Sequence, residues 1–136
     1  LAYNTFKNYM NKSTIKIGII LMITSIILGA FFKHSISEIL TLKQMQSFDT
    51  GIRYQMIHAL ALIIIGFNSD EIKSEKLISS LFIIGIVCFS FSIYLLSCQQ
   101  LLAFKTTFLW PVTPIGGLIL IGSWVALFLS LYNYKK

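Results

Sequence analysis

By type and spacing, Tyr54, Gln55 and His58 are the residues of this chain best suited to chemistry. On a helix, Tyr54 and His58 stand four apart and Gln55 and His58 three apart, so one face gathers a phenol, an amide and an imidazole. Gly51 and Ala61 extend that face. Such a trio can exchange hydrogen bonds, relay a proton or grip a small polar ligand. Counted from Thr50, His58 lies about 12 Å along a helix axis. An unpartnered polar group at that depth in an apolar surround costs several kcal/mol, so the ring needs partners. A neutral histidine bonded on both nitrogens is the plainer reading, and proton or ligand handling the sharper one. Arg53 either pairs with Asp49, four residues earlier, or snorkels outward, where with Lys33 it would hold an anionic headgroup. His34, Ser92, Tyr94 and Thr113 complete the candidate set for a ligand or partner.

Other chemistries lack their residues. No serine–histidine–acid triad, HExxH, intramembrane carboxylate pair or phosphate-cradling glycine loop occurs, so no catalytic residue and no enzyme is expected. The absence of Asp or Glu from the apolar runs weakens an ion pump. Two histidines could suggest haem, but His34 sits at the surface and His58 about 12 Å deeper, which does not suit two axial ligands on one iron. Cys88 and Cys98 have no CxxC spacing and would stand about 15 Å apart on one helix, so they read as packing residues. Neither a metal nor another cofactor is expected.

The elements that must position these groups follow from composition. Of 136 residues, 56% are hydrophobic and only 12% charged, and the mean hydropathy is +0.79, values that indicate lipid as the solvent. Roughly 20 apolar residues cross a bilayer as a helix. Four segments meet or approach that length, at about 15–32, 50–67, 77–97 and 115–132. The expected fold is an all-α, integral membrane four-helix bundle: one transmembrane domain over 15–134, with tails at 1–14 and 135–136. The basic start followed by an apolar run lacks a small-residue cleavage site, so it reads as a retained helix rather than a signal peptide. Met10, followed by Asn11 and Lys12, reads as the native start, with Leu1–Tyr9 an upstream extension or a non-standard start.

The net charge of +6 and pI near 9.5 could suggest nucleic acid, but the charges sit between the spans and report topology instead. Lys7, Lys12, Lys16, Lys73, Lys76, Lys135 and Lys136 share one side, against Lys33, Lys43, Arg53 and Lys105 on the other. The positive-inside rule then places both termini in the cytoplasm of a multi-pass protein. With that orientation the polar candidates gather at the outer face, and the cytoplasmic half holds few equivalents. In the first loop, Ile36, Ile39, Leu40 and Leu42 to Met45 predict a short interfacial helix capped by Ser35 or Ser37. Pro111 and Pro114 mark the start of the fourth helix, with Thr113 as its N-cap. Small residues predict close packing: Ser25 and Gly29 on the first helix, Gly85, Cys88 and Ser92 on the third, and Gly122, Ala126 and Ser130 on the fourth, the last stripe also suiting a homo-oligomer.

Four stretches carry a resemblance: LGAFFKHS (Leu28 to Ser35), FDTGIRYQMIHALAL (Phe48 to Leu62), SFSIYLL (Ser90 to Leu96) and PVTPIGG (Pro111 to Gly117). Together they resemble the domain of unknown function 423 family, small bacterial inner-membrane proteins with an animal mitochondrial relative. Phe32, Lys33 and Phe91 depart from small residues in its motifs. The resemblance implies a bacterial cytoplasmic membrane location and marks His34, Arg53, Tyr54, Gln55, His58, Ser92, Tyr94, Pro114, Gly116 and Gly117 as motif positions, with Gly29, Gly51 and Pro111 beside them as structural ones. It supplies no chemistry. The function expected is non-enzymatic: an outer polar notch that binds membrane lipid, a small ligand or a larger membrane complex as an accessory subunit, with no nucleic acid. The alternative is a small transporter or channel whose pathway His58, Tyr54 and Gln55 line.

Overall fold

The structure, a computed structural model, describes residues 10–133, with Phe32, Lys33 and Asn133 by backbone alone. The tail lysines Lys7, Lys135 and Lys136, and the extension at Leu1–Tyr9, lie outside the described residues. Four helices are long and apolar enough to cross a membrane: Lys12–Phe31, Leu42–Phe67, Glu75–Ser97 and Thr107–Tyr132. Among the described residues there is no strand, as expected where lipid offers the backbone no partner and each segment must satisfy its own N–H and C=O groups.

Local chemistry sets the helix ends. Asn11 caps the first helix, its Oδ1 accepting from Ser13 N at 3.1 Å and Thr14 N at 3.2 Å. The second helix starts at Leu42, eight residues before Thr50, because Thr41 and Gln44 form a reciprocal capping box that satisfies two backbone donors at once. No separate interfacial helix therefore occupies 36–45. Lys33–Ile36 continues the first helix, and Ser35 and Ser37 donate back to the Phe31 and His34 carbonyls instead of capping. The fourth long helix, Val112–Asn133, already contains Thr113 in its first turn. Thr113 is thus not the N-cap, and its hydroxyl is used elsewhere.

Two helices widen into π-helical turns, at Leu28–Phe32 and at Val87–Phe91. A π-turn carries one more residue per turn than its surroundings and disturbs the regular carbonyl pairing. After the second of these turns, the Ser92 hydroxyl donates to the Cys88 and Phe89 carbonyls at 2.5 and 2.9 Å and accepts from Thr113 Oγ1 at 2.7 Å. One serine thus ties the widened turn to the start of the fourth helix.

Glycines decide how closely the helices approach. A Cβ on Gly116 would collide with the backbone of Cys88 and Phe89, one on Gly18 would lie 2.8 Å from the Ala59 carbonyl oxygen, and one on Gly85 would meet Leu120. The Gly122 stripe divides: nothing lies within 4 Å of a Cβ built at Gly122, whereas Ala126 packs against the core and Ser130 is buried and donates to the Lys73 carbonyl at 2.7 Å. Gly122 faces outward and packs no helix of its own chain. Between the polar ends lies an apolar core around Leu62, Ile65, Ile78, Phe82, Ile86 and Leu120, and a second cluster joins Phe48, Ile52 and Tyr94 to the first loop through Ile36 and Leu40. Asn11 and Glu75 mark one end of the bundle. Gln44 and Gln100 mark the other, Gln44 Nε2 donating to Gln100 Oε1 at 2.6 Å.

Candidate functional site

The predicted trio on the second helix is divided among different neighbours. Gln55 is fully buried. Its Nε2 donates to the Leu21 carbonyl and to Thr24 Oγ1, each at 2.8 Å, and its Oε1 accepts from the Tyr94 hydroxyl at 2.8 Å. One amide thereby joins three helices. Gly51 makes room for this arrangement, since a Cβ there would lie 2.6 Å from the Tyr94 ring.

His58 turns toward the fourth helix. Its Nδ1 lies 2.6 Å from the Tyr54 carbonyl oxygen, which can only accept, so Nδ1 carries the proton. Trp124 Nε1 donates to its Nε2 at 3.1 Å, which leaves that nitrogen bare. Both ring nitrogens thus have partners within the chain, and the ring packs against Phe82 and Trp124, an arrangement that suits a neutral imidazole. Tyr54, whose carbonyl accepts from His58, is itself 41% exposed, its ring stacked 5.9 Å from that of His58 and lying 4.5 Å from that of Phe89. Arg53 and His34 are exposed as well. The candidate residues therefore do not converge on one notch. Gln55, Tyr94 and His58 are interior connections, Ser92 and Thr113 form their own pair, and Arg53, Tyr54 and His34 face outward.

Thr24 and Trp124 escaped the sequence reading because a threonine or tryptophan in an apolar run carries no mark of its partner. Glu75 escapes for another reason, since a carboxylate beside Lys73 and Lys76 reads as part of a solvated loop. It is buried. Its Oε1 accepts from Thr14 Oγ1 at 2.7 Å and from Ser79 Oγ at 2.9 Å, and its Oε2 from Asn11 Nδ2 at 2.8 Å. The half expected to be poor in polar groups thus holds a bonded carboxylate at the start of the third helix. Ser79, one turn beyond Glu75, was the available signal.

A groove of about 390 Å³ opens at the Gln44 end of the bundle between the second, third and fourth spans. Lys43 and Ser47 stand on one side, Ser97 is set in it, and Ile93, Leu96 and Trp110 give it apolar walls. Neither Arg53 nor His58 lines it. Among the described residues no group of His, Cys, Asp or Glu could hold a metal ion. Cys88 and Cys98 are free thiols, and burial raises the pKa of Cys98, which keeps it in the unreactive protonated form.

Residues 28–117 match the family described as "Protein of unknown function (DUF423)". The chain belongs to this family. It is 32% identical over 126 residues to the "UPF0382 membrane protein YwdK" of Bacillus subtilis (strain 168), an alignment that covers 90% of this chain and 98% of that one. It is 34% identical over 110 residues to a "UPF0382 membrane protein" of Haemophilus influenzae, covering 80% and 85% of the two chains. To the "UPF0382 inner membrane protein YgdD" of Escherichia coli (strain K12) it is 31% identical over 112 residues, covering 80% and 81%. No solved structure matches. Family membership and the four apolar helices together make this a small integral membrane protein. The family match spans Gln55, His58, Tyr94, Ser97 and Thr113.

Proposed function

We propose that the protein is a non-enzymatic, multi-pass protein of the bacterial cytoplasmic membrane that binds an amphiphile in the groove between its second, third and fourth spans. The excess of lysines on the terminal side supports an outward-facing groove. The observation that carries the reading is the groove's make-up: a lysine, two serines, two glutamines and a threonine beside the apolar Ile93, Leu96 and Trp110 suit a ligand with a polar head and an apolar body. The polar interior does not compete for this role, because Gln55 and His58 spend their bonding capacity within the chain.

The transport alternative has less support for the same reason: Gln55 and His58 are committed to partners, and the core beyond them is Leu, Ile and Phe. Native mass spectrometry of protein gently extracted from its own membrane tests the proposal. A small species carrying one retained lipid or metabolite is the expected result. A bare monomer overturns amphiphile binding, and a large co-purifying assembly replaces it with the accessory-subunit role. Liposome flux that collapses in His58→Ala while the fold persists would restore transport.

A further inference from the structure

Resting on that amphiphile reading, we propose that the groove takes the phosphodiester head of a net-anionic phospholipid, with Lys43 supplying the charge and Ser97 a hydrogen bond. Helical serines ordinarily turn their hydroxyl back on the carbonyl one turn earlier. Ser25, Ser35, Ser80, Ser92 and Ser123 all do so here. Ser97 does not. It is only 3% exposed, and its Oγ has no hydrogen-bond partner among the described residues. A buried hydroxyl left in that state costs free energy, and this one is part of the groove.

The remaining polar groups narrow the ligand. Gln44 Oε1 already accepts from Thr41 N and its Nε2 donates to Gln100, while Thr113 is paired with Ser92. What stays available is the Lys43 ammonium, the hydroxyls of Ser47 and Ser97 and the amide N–H groups of Gln99, whose Oε1 already accepts from Thr106, and among the described residues no carboxylate lines the groove. A cationic head finds no counter-charge there. An anion with several oxygens can accept from an ammonium and from hydroxyls together, and Ile93, Leu96 and Trp110 cover the glycerol and upper acyl region. A fatty-acid carboxylate shares part of this chemistry, so the experiment separates the two.

The full chain in mild detergent is titrated with phosphatidylglycerol, phosphatidylcholine or oleate and read by native mass spectrometry, alongside Lys43→Gln, Ser97→Ala and, as an exposed lysine outside the groove, Lys105→Gln. One phosphatidylglycerol per chain is expected, bound in preference to phosphatidylcholine and oleate. Lys43→Gln and Ser97→Ala should each weaken it by about fivefold or more, the size of one lysine at a membrane surface, and Lys105→Gln should not. Because Ser97 Oγ has no partner to lose, Ser97→Ala should melt no lower than the parent without lipid, so a drop in affinity reports the ligand and not the fold. Equal binding of phosphatidylglycerol and phosphatidylcholine, preference for oleate, or affinities unmoved by both groove variants overturns the proposal while leaving amphiphile binding intact. Failure to retain any of the three overturns both.

Discussion

Tyr94→Phe removes a single oxygen from the interior and tests the junction of three helices. The Tyr94 hydroxyl is the donor to Gln55 Oε1 at 2.8 Å, and Gln55 is fully buried, so no water replaces it. Inter-helix hydrogen bonds in membrane proteins average about 0.6 kcal/mol and reach about 1.7 kcal/mol. An acceptor stranded without water belongs near the upper end, so the expected cost is about 1.5 kcal/mol. Gln55→Met removes three bonds but strands only the Tyr94 hydroxyl, because the Leu21 carbonyl still accepts from Thr24 and Ser25. Its expected cost is about 2 kcal/mol. The double variant should cost little more than Gln55→Met alone, since the shared bond is already gone, giving a coupling of about 1 kcal/mol. Reversible unfolding in mixed micelles, followed by helix circular dichroism, measures all three. A Tyr94→Phe cost under about 0.3 kcal/mol, or strict additivity, would refute the claim that this bond holds the helices together.

Gly116→Ala should destabilise by about 2 kcal/mol or more, because its Cβ meets rigid backbone, whereas Gly122→Ala should stay within about 0.5 kcal/mol; equal thermal shifts for the two in detergent would contradict the packing. Glu75→Ala strands the donors of Asn11, Thr14 and Ser79 and should cost about 2–3 kcal/mol by the same unfolding assay, against under about 0.5 kcal/mol for the exposed Glu71→Ala. Nitrogen NMR of the labelled protein in micelles should find His58 as the Nδ1–H tautomer, and Trp124→Phe should shift its Nε2 resonance. A resonance unchanged by that substitution would show that Trp124 does not bond the ring.

How much of this was legible before the structure depends on whether a signal is local. Span number and helical class follow from apolar runs, a property each segment carries alone, and four such helices are present. The need of His58 for partners was legible from its depth, but their identity was not: Trp124 lies 66 residues away, and nothing in an apolar tryptophan announces which ring it will meet. The single-face grouping of Tyr54, Gln55 and His58 was correct in angle and too coarse in consequence. Residues three and four apart diverge enough on a helix surface to serve different neighbours, and three helices surround this one. Glu75 was hidden because a carboxylate beside lysines reads as solvated loop. The groove was invisible because Lys43, Ser97 and Trp110 come from three separate spans.

The widened turn at Val87–Phe91 gives the third span a phase as well as a shape. Each residue advances an α-helix by about 100°, so one surplus residue rotates everything after it by that amount relative to everything before. Gly85 and Phe82, before the turn, meet Leu120 and Trp124; Ser92 and Tyr94, after it, meet Thr113 and Gln55. The two halves of the helix are each indexed separately to the second and fourth spans, and the π-turn is the offset between the indices. Deleting one residue there would leave hydropathy and span count nearly unchanged, yet swing Tyr94 off Gln55 and Ser97 out of the groove together.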